Sequence, residues 1–335
     1  MGKSYNIAKL SFASGIHLGS GTGEEYDRSM RLLLSDAISA ALCSVWAAGG
    51  NEVEPFMRSY RLSSAMPLYR GRLFLPLPPD KSCVVLKGDT DGKQHKRIKR
   101  LQWIEQPLWE KLSRQGSITI TADMISACGS AIAQSDADKI YIQRQSLEQK
   151  VTVVDGDDNE PYYFDRIFWG EDVGLGVLYE CDQSAKADFE RAFQLLADNG
   201  FGTRRTVGNG LFSVAFSQVE IDADELKIDA DESRQGVQLL SLWYPTAEEW
   251  NPDAMSRSCY EVVSRGGYIS GSSDVAQRKK IKKSVNMIMS GAVVATRSLT
   301  GDVVDVRPDG FDAHPVWRDG RALYLPFKIL YDDEV

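Results

Sequence analysis

The sequence predicts an α+β fold. Apolar residues recur at helical spacing in two segments (37–48 and 184–199), and alternating apolar residues fill segments beside them. Between the second helical segment and the strand after it lies a glycine cluster, GFGTRRTVGNGLF, over 200–212. In the segment before the cluster Phe189, Ala192, Phe193 and Leu196 fall at i, i+3, i+4 and i+7, with Ser184 as the expected N-cap. Asn199-Gly200 ends that helix, because both residues tolerate a left-handed backbone. Beyond the glycines, 211–220 alternates Phe212, Val214 and Phe216 and reads as a strand.

Residues 5–12 predict a first strand, followed by a loop that contains His17. Ser35-Asp36 is a capping signature, opening an apolar helix that Gly49-Gly50 closes. Asn51 is the expected cap of a short helix running to residue 60. Residues 61–80 predict two extended pieces about a turn at 69–72, the second ended by Pro76, Pro78 and Pro79. A helix or turn is expected over 103–113. Strands are expected at 117–121, 140–154, 162–169 and 173–181, with the polar turn DGDDNE at 155–160. An acidic linker at 221–235 leads to a β-rich region, 236–335. Its strands are expected at 237–243, 259–263, 284–289, 303–306 and 323–330, with a turn or short helix at 245–250.

A chain of 335 residues accommodates one large or two medium domains, and 43% hydrophobic with 26% charged residues describes an ordinary globular protein. No apolar run approaches the roughly 20 residues of a membrane span, and the start lacks an apolar signal core. Five separated cysteines (Cys43, Cys83, Cys128, Cys181, Cys259), without a C-x-x-C and beside only three histidines, predict free thiols in a cytoplasmic protein with no metal and no cofactor. A net charge of −8 speaks against a generally basic nucleic-acid binder. The charge is unevenly spread, however. Basic tracts stand at 93–100 (with Lys96, Arg97, Lys99 and Arg100) and 278–283, against six acids in 222–232. Either tract alone also reads as solvated surface.

The glycine loop is the first functional candidate. Gly200, Gly202, Gly208 and Gly210 enclose Arg204 and Arg205. Glycines let a backbone approach a ligand and offer N–H groups to an anion, and arginines add bidentate donors. The loop leads into a strand, so it is neither a Walker A loop nor a dinucleotide fingerprint. From the glycines alone, a long turn with solvated arginines fits as well.

The loop resembles that of the RAMP superfamily of CRISPR RNA-binding proteins, G-x-G-G-[KR]-x-x-x-G-x-G-x-F. It matches at Gly200, Gly202, Arg204, Gly208, Gly210 and Phe212, with Thr203 where a second adjacent glycine is usual. His17 and Gly19 (H-x-G), then Ser35, Asp36, Ala41 and Leu42 (S-D-x-x-x-x-A-L), resemble the fourth subunit of type III-A (Csm) effector complexes. So do the S-S-x-x-P-x-x-x-G-x-L-x-x-P segment at 63–76, the basic tract after it, and HPVWRDG at 314–320.

The resemblance implies a ferredoxin-like (RRM-like) RAMP fold in an N-terminal domain, 1–220. It implies an inserted β-hairpin thumb carrying Arg144, and a second, degenerate ferredoxin-like half in 236–335. It further implies a non-catalytic subunit that binds the 5′ handle of a CRISPR RNA. Its protein partners would be the large signalling subunit and a backbone RAMP subunit, with no membrane. The type III-B equivalent and a processing endoribonuclease are the alternatives. For the latter, His17 and Asp36 are the candidate acid–base groups. No lysine or tyrosine near His17 in sequence completes a constellation.

Overall fold

The computed structural model describes residues 2–19, 26–88, 95–152, 160–223, 234–269 and 280–330. The chain begins with β1 (Lys3–Phe12), α1 (Ser35–Ala48), α2 (Val53–Arg58), β2 (Tyr60–Leu62), β3 (Met66–Tyr69) and β4 (Arg72–Pro76). There follow β5 (Val84–Leu86), α3 (His95–Lys99), β6 (Trp103–Glu105), α4 (Gln106–Gln115), β7 (Ile118–Ile120) and β8 (Ala131–Ile132). A long hairpin, β9 (Gln143–Thr152) and β10 (Glu160–Trp169), precedes β11 (Val173–Cys181), α5 (Lys186–Asn199) and β12 (Phe212–Ile221). The C-terminal part holds β13 (Gln235–Leu239), α6 (Pro252–Ser256), β14 (Val262–Arg265), β15 (Val285–Ile288), β16 (Val293–Val294), β17 (Val303–Asp305), β18 (Trp317–Asp319) and β19 (Tyr324–Lys328).

Alternating apolar side chains give β1 two buried faces, and both of its edges are paired. It lies second in an eight-stranded sheet ordered β12-β1-β11-β3-β4-β6-β8, with β2 also on β11. Asn6 sits opposite Tyr179 on one side and Gln218 on the other. The elements β1, α1, β2/β3, β11, α5 and β12 therefore form a β-α-β-β-α-β unit. Its fourth strand lies beside the first, then come the third and the second, every neighbour antiparallel.

One face of the sheet carries the helices. Ile38 and Leu42 of α1, and the expected stripe Phe189, Ala192, Phe193 and Leu196 of α5, bury against Ala8, Leu10, Val177 and Tyr179. Each of the Ile, Leu, Phe and Val side chains among them, fully buried, contributes about 1.5–3 kcal/mol. The other face packs Tyr5, Ile7 and Leu178 with Trp109 and Leu112 of α4, and with Leu240, Leu325 and Phe327 from the C-terminal part. Gln238 ties this layer together. Its Oε1 accepts from Trp109 Nε1 (2.6 Å), and its Nε2 donates to the carbonyls of Pro76 (3.0 Å) and Gly291 (3.2 Å).

The helix starts differ from the sequence expectation. α5 begins at Lys186 after Ala185, so Ser184 does not cap it. Asn51 lies outside α2 and donates to the Trp46 carbonyl. α1 begins at Ser35, with no side-chain cap. Its two polar residues are committed to tertiary contacts instead. Ser35 Oγ accepts from Leu242 N (2.8 Å). The Asp36 carboxylate is fully buried and accepts from Arg265 Nε (2.8 Å) and Nη2 (3.2 Å) and from Arg318 Nη1 (2.6 Å). One turn on, Ser39 Oγ donates to Asp319 Oδ2 (2.9 Å). Residues 103–113, expected as helix or turn, divide into β6 and α4.

Asp36→Ala leaves Arg265 and Arg318 without their counter-charge. The unfolding free energy from urea titration should fall by about 3–5 kcal/mol, the usual cost of breaking a buried pair by removing one partner. A loss below about 1 kcal/mol would show that α1 is held by packing alone.

Candidate nucleic-acid interface

Gly200, at φ +75°, ends α5, and Gly202, Gly208 and Gly210 also have positive φ (+90°, +83° and +71°). The loop is pinned to the segment after β1 by main-chain bonds. Thr203 N donates to the His17 carbonyl (3.1 Å), Gly210 N to Gly15 O (3.0 Å), and Phe201 N closes the loop on Gly210 O (2.9 Å). A Cβ at Gly202 would lie 2.3 Å from His17 O, and one at Gly210 1.9 Å from Phe201 O. These two glycines therefore serve close approach of the chain to itself. Gly208 faces open space.

The arc between them is exposed. Arg204, left-handed at φ +55°, precedes a short 3₁₀ turn over Arg205–Val207. Its guanidinium lies over the rings of Tyr26 (5.5 Å) and Tyr162 (5.2 Å). Arg205 is exposed and has no partner among the described residues.

His17 sits directly beneath. It is 1% exposed, its Nδ1–H donates to the Asp165 carbonyl (2.7 Å), and its ring stacks on Phe164 at 4.9 Å. The Asp165 carboxylate accepts from Ser29 N (2.8 Å) and from Gln145 Nε2, joining the segment after β1 to the hairpin. Arg144 of β9 and Arg166 of β10 both lie 5.0 Å from the ring of Phe168, the residue that faces Gly15. Arg166 pairs with Glu148 and donates to Asn209 Oδ1 in the glycine loop (3.3 Å). Lys150 stands 4.7 Å from the ring centre of Phe164.

The structure thus brings the glycine loop and His17 against the β9–β10 hairpin, with Arg144 at its root and Tyr162 toward its outer end. Tyr26, Tyr162, Phe164, Lys150 and Arg166, absent from the sequence reading, complete the cluster. A signal for part of it was present: YYFDRIF in β10 puts an aromatic or basic residue at every second position, 162, 164, 166 and 168, on one face.

Lys96, Arg97, Lys99 and Arg100 are not part of this cluster. They are exposed on or just after α3, which Ile98 anchors in the core. The chain then enters β6 at Trp103, opposite Pro76 at the far end of β4, whereas the glycine loop enters β12 where Phe12 faces Phe212. The tract lies at the other end of the sheet and five strand spacings away, roughly 24 Å. Asp36 is also elsewhere, buried in its ion pairs. The acids of the linker from 224 to 233, residues 93–94 and 278–279 of the basic tracts, and the hairpin turn at 153–159 lie outside the described residues.

Residues 232–327 match the family model of the CRISPR Csm4 C-terminal domain. The CRISPR system protein Csm4 of Methanocaldococcus jannaschii is 22% identical over 377 residues, covering 96% of this chain and 97% of its own length. In fold, the chain matches one in the crystal structure of a Csm3–Csm4 subcomplex of the type III-A interference complex, with TM-score 0.64 and 19% identity over 96% and 99% of the two chains. It also matches one in a Csm1–Csm4 cassette in complex with cA4, with TM-score 0.62 and 17% identity over 98% and 100%. These likenesses are all to subunits of CRISPR systems. Within that class the chain is similar to Csm4 proteins, over residues 232–327 by the family model and over nearly its whole length by the Methanocaldococcus jannaschii relative.

The two kinds of glycine separate in stability. Gly208→Ala should cost about 1–2 kcal/mol, the strain of a left-handed alanine. Gly210→Ala adds a collision with Phe201 O and should cost clearly more. Chemical denaturation of both variants checks the order, and equal costs would contradict the close approach.

Proposed function

We propose that this chain is a non-catalytic subunit of a type III-A CRISPR interference complex, holding the 5′ handle of the guide RNA along the β9–β10 hairpin. The observation that carries the reading is Arg204, laid over the edge-to-face pair of Tyr26 and Tyr162 on a loop whose backbone is pinned. Fixed guanidinium groups beside aromatic faces suit an extended RNA strand, whose phosphates take the charge and whose splayed bases stack. Arg205, Arg144 and Lys150 continue the positive surface on either side.

On this reading the β-α-β-β-α-β unit is a ferredoxin-like domain within 1–220, and the β9–β10 hairpin is its thumb. The part from 236 onward is a second, degenerate half. The partners follow from the relatives: a large subunit of the Csm1 type and a backbone subunit of the Csm3 type. The surroundings of His17 and Asp36 favour a structural role for both. His17 is buried, stacked and bonded to a main-chain carbonyl, and Asp36 is sealed between two arginines. Neither offers a proton to a bound strand.

Replacing Arg204 and Arg205 together by alanine should weaken binding of handle RNA to the assembled complex by about 2–4 kcal/mol at moderate salt, from two overlapping charge-assisted contacts. Fluorescence anisotropy with labelled RNA reads this, and unchanged affinity would remove the loop from the binding surface. His17→Ala should leave maturation of guide RNA in cells intact. Loss of mature guide with the variant still assembled would favour the endoribonuclease.

A further inference from the structure

Around Asp36 the charges of the described residues do not balance. One buried carboxylate faces Arg265 at the end of β14 and Arg318 in β18, while Lys282, just before β15, adds a third positive charge to the same cluster. Arg318 is 5% exposed. It uses Nη1 on Asp36 and Nη2 on the Gly266 carbonyl (2.9 Å), and its Nε is buried with no partner among the described residues. Arg265 spends Nε and Nη2 on Asp36, and among the described residues its Nη1 meets only the sulfur of Met30 (3.2 Å). The Lys282 ammonium makes no hydrogen bond or ion pair among the described residues. Buried cations normally have counter-charges, and unmet buried donors are costly. Three cations on one anion among the described residues, with donors to spare, leave room for a second anion.

We propose that Lys282, Arg265 and Arg318 form a binding site for a tetrahedral oxyanion, a phosphate group, at the seam between α1 and the C-terminal part. Lys282 is half-buried and flanked by the exposed Ile281 and Lys283, so it marks the side open to solvent. The site shares no residue with the glycine loop and stands independently of the handle-binding reading. The titration of Lys282 agrees with it. Burial, then the neighbouring Arg318 and Arg265, push its pKa down to about 8 against the opposing pull of Asp36. With its pKa depressed, the charged lysine destabilises the folded chain below about pH 8, and a bound anion relieves that cost.

Thermal unfolding of the full chain at pH 7, in sulfate or inorganic phosphate against chloride of equal ionic strength, tests the site. Sulfate should stabilise the wild type at millimolar concentration and lose this effect as the pH is raised from 7 to 9. Lys282→Met should be at least as stable as the wild type in chloride, yet bind sulfate at least tenfold more weakly. The Arg204→Ala, Arg205→Ala double variant should retain sulfate binding, which separates this site from the loop. A short RNA oligonucleotide that displaces sulfate from the wild type but does not bind Lys282→Met there would identify a backbone phosphate as the source. An RNA that leaves sulfate in place would identify a small free anion. No stabilisation specific to oxyanions, or one that Lys282→Met leaves unchanged, overturns the proposal. So does stabilisation lost only in the Arg204, Arg205 variant.

Discussion

The carboxylate of Asp36 organises this molecule. Apolar burial drives the two faces of the sheet together, but it is non-directional and does not by itself choose how α1 meets the C-terminal strands. A buried carboxylate shared by Arg265 and Arg318 does choose, because each guanidinium must find it within hydrogen-bonding distance. Such a network adds little stability over a well-packed apolar seam, and what it enforces is one arrangement. Ser35 and Ser39 extend the same constraint along α1 by bonding Leu242 and Asp319. On the opposite face of the sheet, Gln238 does the equivalent work for α4.

With α1 and α5 set against the sheet, the short path from α5 to β12 has little freedom. The glycine loop occupies that path, and its shape comes from main-chain bonds to Gly15 and His17. On the proposed reading, a loop held in this way would lose little conformational entropy on binding a strand, so less of each contact would be spent on ordering. His17 supports this frame from below through its carbonyl, its ring and its Nδ1.

Periodicity made much of this legible. β11 runs over Val173–Cys181, as its alternation implies, and α5 ends at Asn199 before a left-handed Gly200. The starts of helices were not legible. Ser35, Asp36, Asn51 and Ser184 carry the local signature of a cap whether or not they cap, and only distant residues such as Leu242 and Arg318 decide. The three-residue β6 is too short for a period to register against the helix behind it. In the candidate site, the loop and Arg144 were readable from local pattern. Tyr26 was not, and the alternation in β10 marks the face that carries Tyr162 without saying that it meets Arg204, since loop and hairpin are far apart in sequence. The place of the basic tract at 93–100 was not readable for the converse reason: charge composition does not say at which end of a sheet a helix lies.

The pinned loop also bears on how this surface can change over generations. Gly202 and Gly210 hold the frame through backbone contacts, while the side chains of Arg205, Thr206 and Val207 hang from it in solvent. Substitutions at those three positions alter what the surface prefers without asking the fold to adapt, so each step of a lineage toward a different ligand passes through a viable protein. Change at Gly202 or Gly210 offers no such gradual route. Selection is thus free on the arc and stalled at its ends, and novelty in recognition should accumulate where the chain does least to hold itself together.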